Sequence, residues 1–327
     1  MKVFIIGGTG FIGYHATLEF LKREHEVSTI AIPDIKLGKW FPSKVSVQYG
    51  DIFSMEQERM VEMLSGFDAL VYAIGPDDRT TPDRPPYEFF HEKLALTTQK
   101  VFQAANLAKI KRAVILNSYF AYFDRKYPKK KLAIHHPYIQ CRIEQAEYAI
   151  EAGGEQIDTM ILELPYIFGT MPESARAPLW KSVFIDRFKN WNIIFFPKGG
   201  STMITVEHVA EAIVDAMENG KKNQHYVIGD ENITWKEMLT IMFSTYGKKK
   251  KVISLPKWIF LIVGKIRKWK MKRKEIYEGL DSYYLFSDIL TDNFYIELSD
   301  QKERLQYSTG GVRESIVKTI ETCRRFD

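Results

Sequence analysis

Two short stretches of this sequence suggest chemistry, one a proton-transferring pair and the other a phosphate-binding loop. In HPYIQCRIEQAE, His136 to Glu147, a tyrosine and an arginine stand four residues apart. If the stretch is helical, Tyr138 and Arg142 share one face. A phenol ordinarily titrates near 10, so it needs help to act as a base near neutrality, and an adjacent positive charge stabilises the phenolate. The ordinary alternative is a solvated helix face, where such pairs are common and where RIEQAE would supply surface charge pairs. The second stretch is KVFIIGGTGFIGYHATLEF, in which an apolar run leads into Gly7, Gly8, Thr9, Gly10, Phe11, Ile12 and Gly13. Glycines there permit a tight turn and close approach of the backbone to a pyrophosphate. A helix starting at the loop offers unpaired N–H groups and its positive dipole end.

The elements needed to position these residues can be read from hydrophobic periodicity. Short apolar runs at Val3–Ile6, Val27–Ile32, Val45–Gln48, Ala69–Ala73, Ala113–Asn117 and Thr159–Leu164 alternate with longer amphipathic stretches, as in βαβ units on a parallel sheet. The spacing predicts a helix over Tyr87–Leu107, and another from Pro137 to Ala152 that ends at Gly153 and Gly154. Beyond Pro165 an aromatic- and proline-rich stretch reaches Gly200. Helices follow, with Thr205 and Thr234 as N-caps and a short strand, His225–Ile228, between them. This gives a first domain over 1–164 plus about 205–230. A smaller lobe is expected over about 165–204 and 231–327.

The 327 residues suit about two such units, and 45% hydrophobic with 27% charged residues is ordinary for a globular chain. Two cysteines, Cys141 and Cys323, are too few for a disulfide framework and show no metal-ligand spacing with the histidines. With no signal-like leader before the first strand, a cytoplasmic protein with reduced thiols and no metal is expected. His135 and His136 adjoin the second helix start and could face the mouth of a site there, but a solvated loop pair is the favoured reading. The charge is uneven: Lys248 to Lys274 holds twelve Lys and Arg and no acid, and removing them from the net +5 leaves −7 elsewhere. The apolar run Trp258–Val263 within this segment is too short to span a bilayer. The favoured reading is a lobe helix burying its apolar face against a substrate cleft. Contact with an anionic membrane surface is the alternative, and nucleic acid is not expected.

GGTGFIG, GDIF after the third strand, YAIG at the end of the fourth, ILNSYFAYF at the fifth and the Tyr-x-x-x-Arg that follows together resemble an extended or atypical short-chain dehydrogenase/reductase. The type is the NAD-dependent epimerase/dehydratase, and the resemblance runs from Met1 to about Tyr246. It implies an α/β, Rossmann-type doubly wound parallel sheet with a smaller C-terminal substrate-binding lobe. It also implies an NAD(P)-dependent enzyme that transfers hydride at a carbinol or carbonyl carbon of a small molecule, most often a nucleotide sugar, although the aromatic and apolar lobe over Trp180–Phe196 and Trp258–Val263 could equally hold a hydrophobic carbonyl compound. A homodimer is an open alternative to a monomer.

The resemblance also implies residue roles. Asp51 and Ile52 would lie beside the adenine ring, Ala73, Ile74 and Gly75 along the cofactor, and Pro165, Tyr166 and Ile167 near the nicotinamide carboxamide. Ser118 would orient the substrate oxygen, Tyr138 would act as acid and base, and Arg142 stands where the family has lysine. Arginine keeps the charge but not the compact geometry. Asp34 after strand two favours NAD, whereas Lys36 and Lys39 could meet the 2′-phosphate of NADP, and NAD is preferred. Arg142, Phe123 in a position that is commonly glycine, and Glu163 before Leu164 all depart from the pattern. Arg142, Glu163 and the basic segment motivate a second reading, an NAD(P)-binding regulator or scaffold with a decayed site.

Overall fold

The computed structural model describes residues 1–172, 177–297 and 305–327. Its strands are, in chain order, β1 (Lys2–Ile6), β2 (Glu26–Ala31), β3 (Ser46–Tyr49), β4 (Ala69–Tyr72), β5 (Arg112–Ser118) and β6 (Asp158–Leu164). They continue as β7 (Tyr166–Phe168), β8 (Ile193–Pro197), β9 (Gly200–Thr205), β10 (His225–Val227), β11 (Glu231–Thr234), β12 (Lys251–Leu255) and β13 (Asn293–Phe294).

β1 to β6 and β10 form one parallel sheet in the order β10-β6-β5-β4-β1-β2-β3. The runs KVFII and ALVY are apolar almost throughout because both faces of the sheet are covered. Alternate residues serve the two faces. Val3, Ile5 and Val71 join a core with Phe20, Val209 and Ile213, from the helices Phe11–Lys22 and Val206–Asn219. Phe4, Ile6, Leu70 and Tyr72 join another with Met60, Val101 and Ala149, from Gln57–Leu64, Thr97–Leu107 and Pro137–Gly153. Strand order reverses between β1 and β4, and an open α/β sheet forms its ligand crevice at such a point, beyond the carboxyl ends of the strands.

The second sheet runs β11-β9-β13 with β7 also on β9, and β8 pairs with β12. A third core, containing Trp180, Phe184, Trp235, Phe243, Ile316 and Ile320, lies under the helices Trp235–Thr245 and Val312–Cys323. Thr205 and Thr234 cap their helices as expected, accepting from the His208 and Glu237 amides. The predicted Tyr87–Leu107 helix is present as Pro86–Phe90 and Thr97–Leu107 joined by a π-helical turn, His91–Leu96. Within that widened turn the Thr97 hydroxyl donates to the Glu92 carbonyl at 2.8 Å.

The segment after β12 departs from expectation. The helix Lys257–Arg273 buries only Phe260 and Gly264, and these meet the chain at 282–286 rather than a cleft. Gly264 allows that approach, because a Cβ there would lie 3.1 Å from the Ser282 carbonyl. The Phe260 and Phe286 rings stack at 5.6 Å. Among the described residues no helix is long and apolar enough to cross a membrane.

Candidate active site

The glycine loop sits at the carboxyl end of β1 and is held from two sides. Thr29 on β2 accepts from the Gly8 amide at 3.0 Å and donates to the Ile5 carbonyl at 2.6 Å. On the other side, a Cβ on Gly7 would lie 2.7 Å from the Ala73 carbonyl oxygen and from Ile74, and Gly7 has φ +96°. At Gly13 a Cβ would come within 2.1 Å of the Gly7 carbonyl oxygen. The helix Phe11–Lys22 starts with no side-chain cap and no acid in its first turn, so its leading amides and dipole are left for an anion. A cradle of this shape fits the pyrophosphate of a dinucleotide. Gly13→Ala forces the loop open against backbone. It is expected to weaken NAD binding at least about tenfold by calorimetry, with the far-ultraviolet dichroism of the wild type retained.

The other positions singled out in the sequence lie at strand ends. Ala73, Ile74 and Gly75 follow β4, and Asp34 is exposed in the turn after β2, as are Lys36 and Lys39. Exposed Asp51 accepts from the Phe53 amide at 3.0 Å, the bond of a turn carboxylate, while Ile52 belongs to the buried core. Pro165 is buried between β6 and β7. Tyr166 stacks on Trp180 at 5.3 Å, and the Ile167 carbonyl accepts from the Trp180 indole at 2.9 Å.

Tyr138 and Arg142 are not on a solvated face. They are 4% and 9% exposed, and the Arg142 Nε donates to the Tyr138 hydroxyl at 3.0 Å. The rest of the guanidinium is engaged as well. Nη1 reaches the Leu116 carbonyl at 3.3 Å and Gln145 Oε1 at 2.8 Å, and Nη2 reaches the Pro76 carbonyl at 3.4 Å. Asn117 fastens the helix to β5, donating to the Arg142 carbonyl at 2.8 Å and accepting from the Ser118 amide at 2.6 Å. Ser118 Oγ accepts from the Phe120 amide at 3.3 Å, capping a helix, Tyr119–Lys126, that the sequence reading missed. Its own proton remains available to an oxygen in the crevice.

Burial pushes the Tyr138 phenol above its usual 10, and the nearby Arg142 opposes this without reversing it, while Asp78 adds to the rise. At neutral pH the side chain is therefore a phenol, a proton donor. Asp78 itself was not singled out from sequence. Burial raises its carboxyl, opposed by Arg79, whose guanidinium lies 3.5 Å away. Arg79 also sits 5.4 Å over the Trp180 ring. Burial raises Tyr119 and Tyr166, with the charges of Asp78 and Arg79 acting on both. The available signal was the run PDDR directly after YAIG, at the strand end beside the crevice.

Two further readings are corrected. His136 is fully buried, because the Asp281 amide donates to its Nδ1 at 3.0 Å, and Tyr138 likewise donates its amide to the Gly279 carbonyl at 3.0 Å. Burial pushes His136 down to about 4. The folded value lies below the unfolded 6.5, so the unfolded chain binds more protons between pH 6.5 and 4, and stability falls as pH drops through that window. At pH 4.5 the loss from this group is about 2 kcal/mol. Urea unfolding of wild type and His136→Gln at pH 7 and 4.5 is expected to show that component only in wild type. Glu163 is 1% exposed and accepts from Arg125 at 2.7 Å and His225 at 3.0 Å. It is a buried ion-pair centre for a neighbouring helix and strand.

Both cysteines are free and buried. Ligand-type atoms of His91, Cys141 and Glu144 lie within 4.8 Å of one another, yet His91 and Glu144 already share a hydrogen bond at 2.9 Å. Burial holds the Cys141 thiol up at about 12.

A doubly wound sheet with a glycine cradle at its switch point defines a dinucleotide-binding protein of the Rossmann class. Residues 3–229 match the model of the NAD dependent epimerase/dehydratase family, and the chain belongs to that family. A curated relative is a dTDP-6-deoxy-L-talose 4-dehydrogenase (NAD(+)) of Aggregatibacter actinomycetemcomitans, 32% identical over 72 residues. That match spans 22% of this chain and 26% of the relative. Among solved structures, gox2253 is similar at TM-score 0.80 and 17% identity, over 99% of this chain and 98% of that one. A UDP-glucuronic acid 4-epimerase from Bacillus cereus, solved with NAD, is similar at TM-score 0.68 and 13% identity, over 99% of each chain. At such identities these structures support the fold.

Proposed function

We propose that this chain is an NAD-dependent enzyme that transfers hydride at a carbinol or carbonyl carbon of a nucleotide sugar. The observation that carries the reading is the buried Tyr138–Arg142 hydrogen bond at the carboxyl edge of a sheet whose switch point bears the glycine cradle. NAD, when bound, supplies the hydride acceptor and donor. Residues 1–164 with 205–230 hold it, through Gly7 to Gly13 at the phosphates, Asp51 and Asp34 toward the adenosine, and Ala73 to Gly75 and Pro165 to Ile167 toward the nicotinamide. Residues 165–204 and 231–327 hold the substrate; 173–176 and 298–304 within those ranges lie outside the described residues.

The chain's own groups then manage one proton. Tyr138 donates its proton to a substrate carbonyl oxygen as reduction proceeds, or takes it from the alcohol as oxidation proceeds. Ser118 holds the same oxygen by donating to it, which keeps the reacting carbon in place. Arg142 opposes the cost of the buried phenolate and cannot itself relay a proton, because guanidinium stays protonated. Asp78 and Tyr166 offer an acceptor and a donor to sugar hydroxyls.

The test is calorimetry with NAD and NADP, followed by a panel of UDP- and dTDP-sugars monitored for NADH absorbance and for epimers by NMR. NAD binding with turnover of one panel member is expected. Absence of NAD binding overturns the reading. For the scaffold alternative, Glu163 is no longer a motive, since its partners lie in a structural ion pair.

A further inference from the structure

We propose that the face built by the basic helix Lys257–Arg273 docks peripherally on an anionic lipid surface. Trp258, Ile262, Ile266 and Trp269 follow one another at intervals of four, four and three residues, so they line one side of that helix. They are 62%, 51%, 49% and 58% exposed. The opposite side, with Phe260 and Gly264, is the one pinned to 282–286. The helix is thus attached along one edge with its apolar stripe turned to solvent. β12 feeds this helix and pairs with β8, whose Ile193 and Phe195 are exposed on alternate positions, as is Trp191 before them. A row of large apolar side chains exposed along one side of a helix marks an interaction surface.

The charges select the occupant. Arg267 is held by Glu278 at 2.6 Å and Lys268 by Asp281 at 2.7 Å, contacts that fix the helix to the protein. Lys265, Lys270, Lys272 and Lys274 have no acidic partner within ion-pair distance among the described residues. The same is true of Lys248, Lys249 and Lys251 before the helix. A second copy docked through the same face would bring a like-charged surface against this one, with no acid between Lys248 and Lys274 to answer it. A nucleic-acid backbone would meet the lysines but leave the isoleucines uncovered. An anionic bilayer satisfies both sets: the headgroups pair with lysine and arginine, and tryptophan and isoleucine enter the boundary between headgroups and acyl chains. The tryptophans at the two ends of the stripe suit that boundary, apolar in body with one polar N–H. The helix then lies in the plane of the surface.

Co-sedimentation of the full chain with phosphatidylcholine vesicles, with or without about 30 mol % phosphatidylserine, tests this at about 0.1 M salt. Wild type is expected to pellet with the anionic vesicles, to stay in solution with the neutral ones, and to be released as salt is raised. Ile262→Glu/Ile266→Glu and Lys270→Glu/Lys272→Glu are each expected to weaken binding at least about tenfold. All four side chains are exposed, so thermal unfolding and NAD affinity should match wild type. Three results overturn the proposal: wild type left in solution with anionic vesicles, both double variants binding as well as wild type, or equal binding to neutral vesicles. If wild type ignores vesicles but Ile262→Glu/Ile266→Glu dissociates a dimer or abolishes binding to a generic RNA, the occupant is another copy or nucleic acid and the lipid proposal falls. These outcomes are independent of whether the site turns over a nucleotide sugar.

Discussion

Tyr138→Phe is expected to lower turnover by about 10²–10⁴-fold, the usual contribution of a positioned acid or base, while leaving NAD affinity within about twofold of wild type. The substitution removes one oxygen and keeps the ring, which packs edge-on to Phe90 at 5.4 Å. Arg142 Nε loses its acceptor, but the Leu116, Gln145 and Pro76 contacts remain to hold the guanidinium. A stability cost of about 1–3 kcal/mol is therefore the upper range for the orphaned donor. Wild type should also carry a direction-dependent pH profile. The phenol is raised above 10 by burial, so the oxidative direction, which needs the phenolate, speeds up with pH through the alkaline range, while reduction stays level. Steady-state rates in both directions from pH 6 to 9.5 check this. If Tyr138→Phe turns over like wild type with NAD bound, the chain is the cofactor-binding scaffold and the catalytic assignment fails.

What could be read from the sequence, and what could not, follows from the range of the interactions. β1, the glycine loop and the helix after it are legible because their signals sit within some twenty consecutive residues, and the close approaches at Gly7 and Gly13 are made inside that unit or with the neighbouring strand. Tyr138 and Arg142 are legible as a helical pair for the same reason. Their burial is not, because it depends on carbonyls of Pro76 and Leu116 brought in from β4 and β5. His136 read as loop because its partner, the Asp281 amide, is 145 residues away. Glu163 read as a change at the active site because the family pattern differs there. Arg125 and His225, which explain it, come from a helix the sequence reading lacked and from the edge strand β10. For Lys257–Arg273, the sequence suggested a helix whose apolar face would meet the cleft, and that was wrong: the side that meets the protein is the one with Phe260 and Gly264, set by contacts with 282–286 that periodicity does not carry.

Arg142→Met is expected to cost more stability than Tyr138→Phe, about 2–4 kcal/mol in urea unfolding, because it strips donors from two buried acceptors and one part-buried one at once. It should also slow oxidation more than reduction, since the charge that opposes burial at the Tyr138 phenol is lost and the phenolate becomes harder to reach. Arg142→Lys separates the two contributions. An ammonium keeps the charge, but its three donors on a flexible stem do not reproduce a planar fork that spans the β4 end, β5 and the next turn of its own helix. The lysine variant is therefore expected to keep the alkaline dependence of oxidation while losing much of the stability that methionine loses. If lysine restores neither, the position acts through geometry alone. If methionine lowers stability but leaves both rates and the pH profile unchanged, Arg142 is only a brace. A role for the charge at the phenol, separable from the bracing, is favoured by the bond at Nε: of the guanidinium's contacts, it is the one that faces the phenol rather than the scaffold.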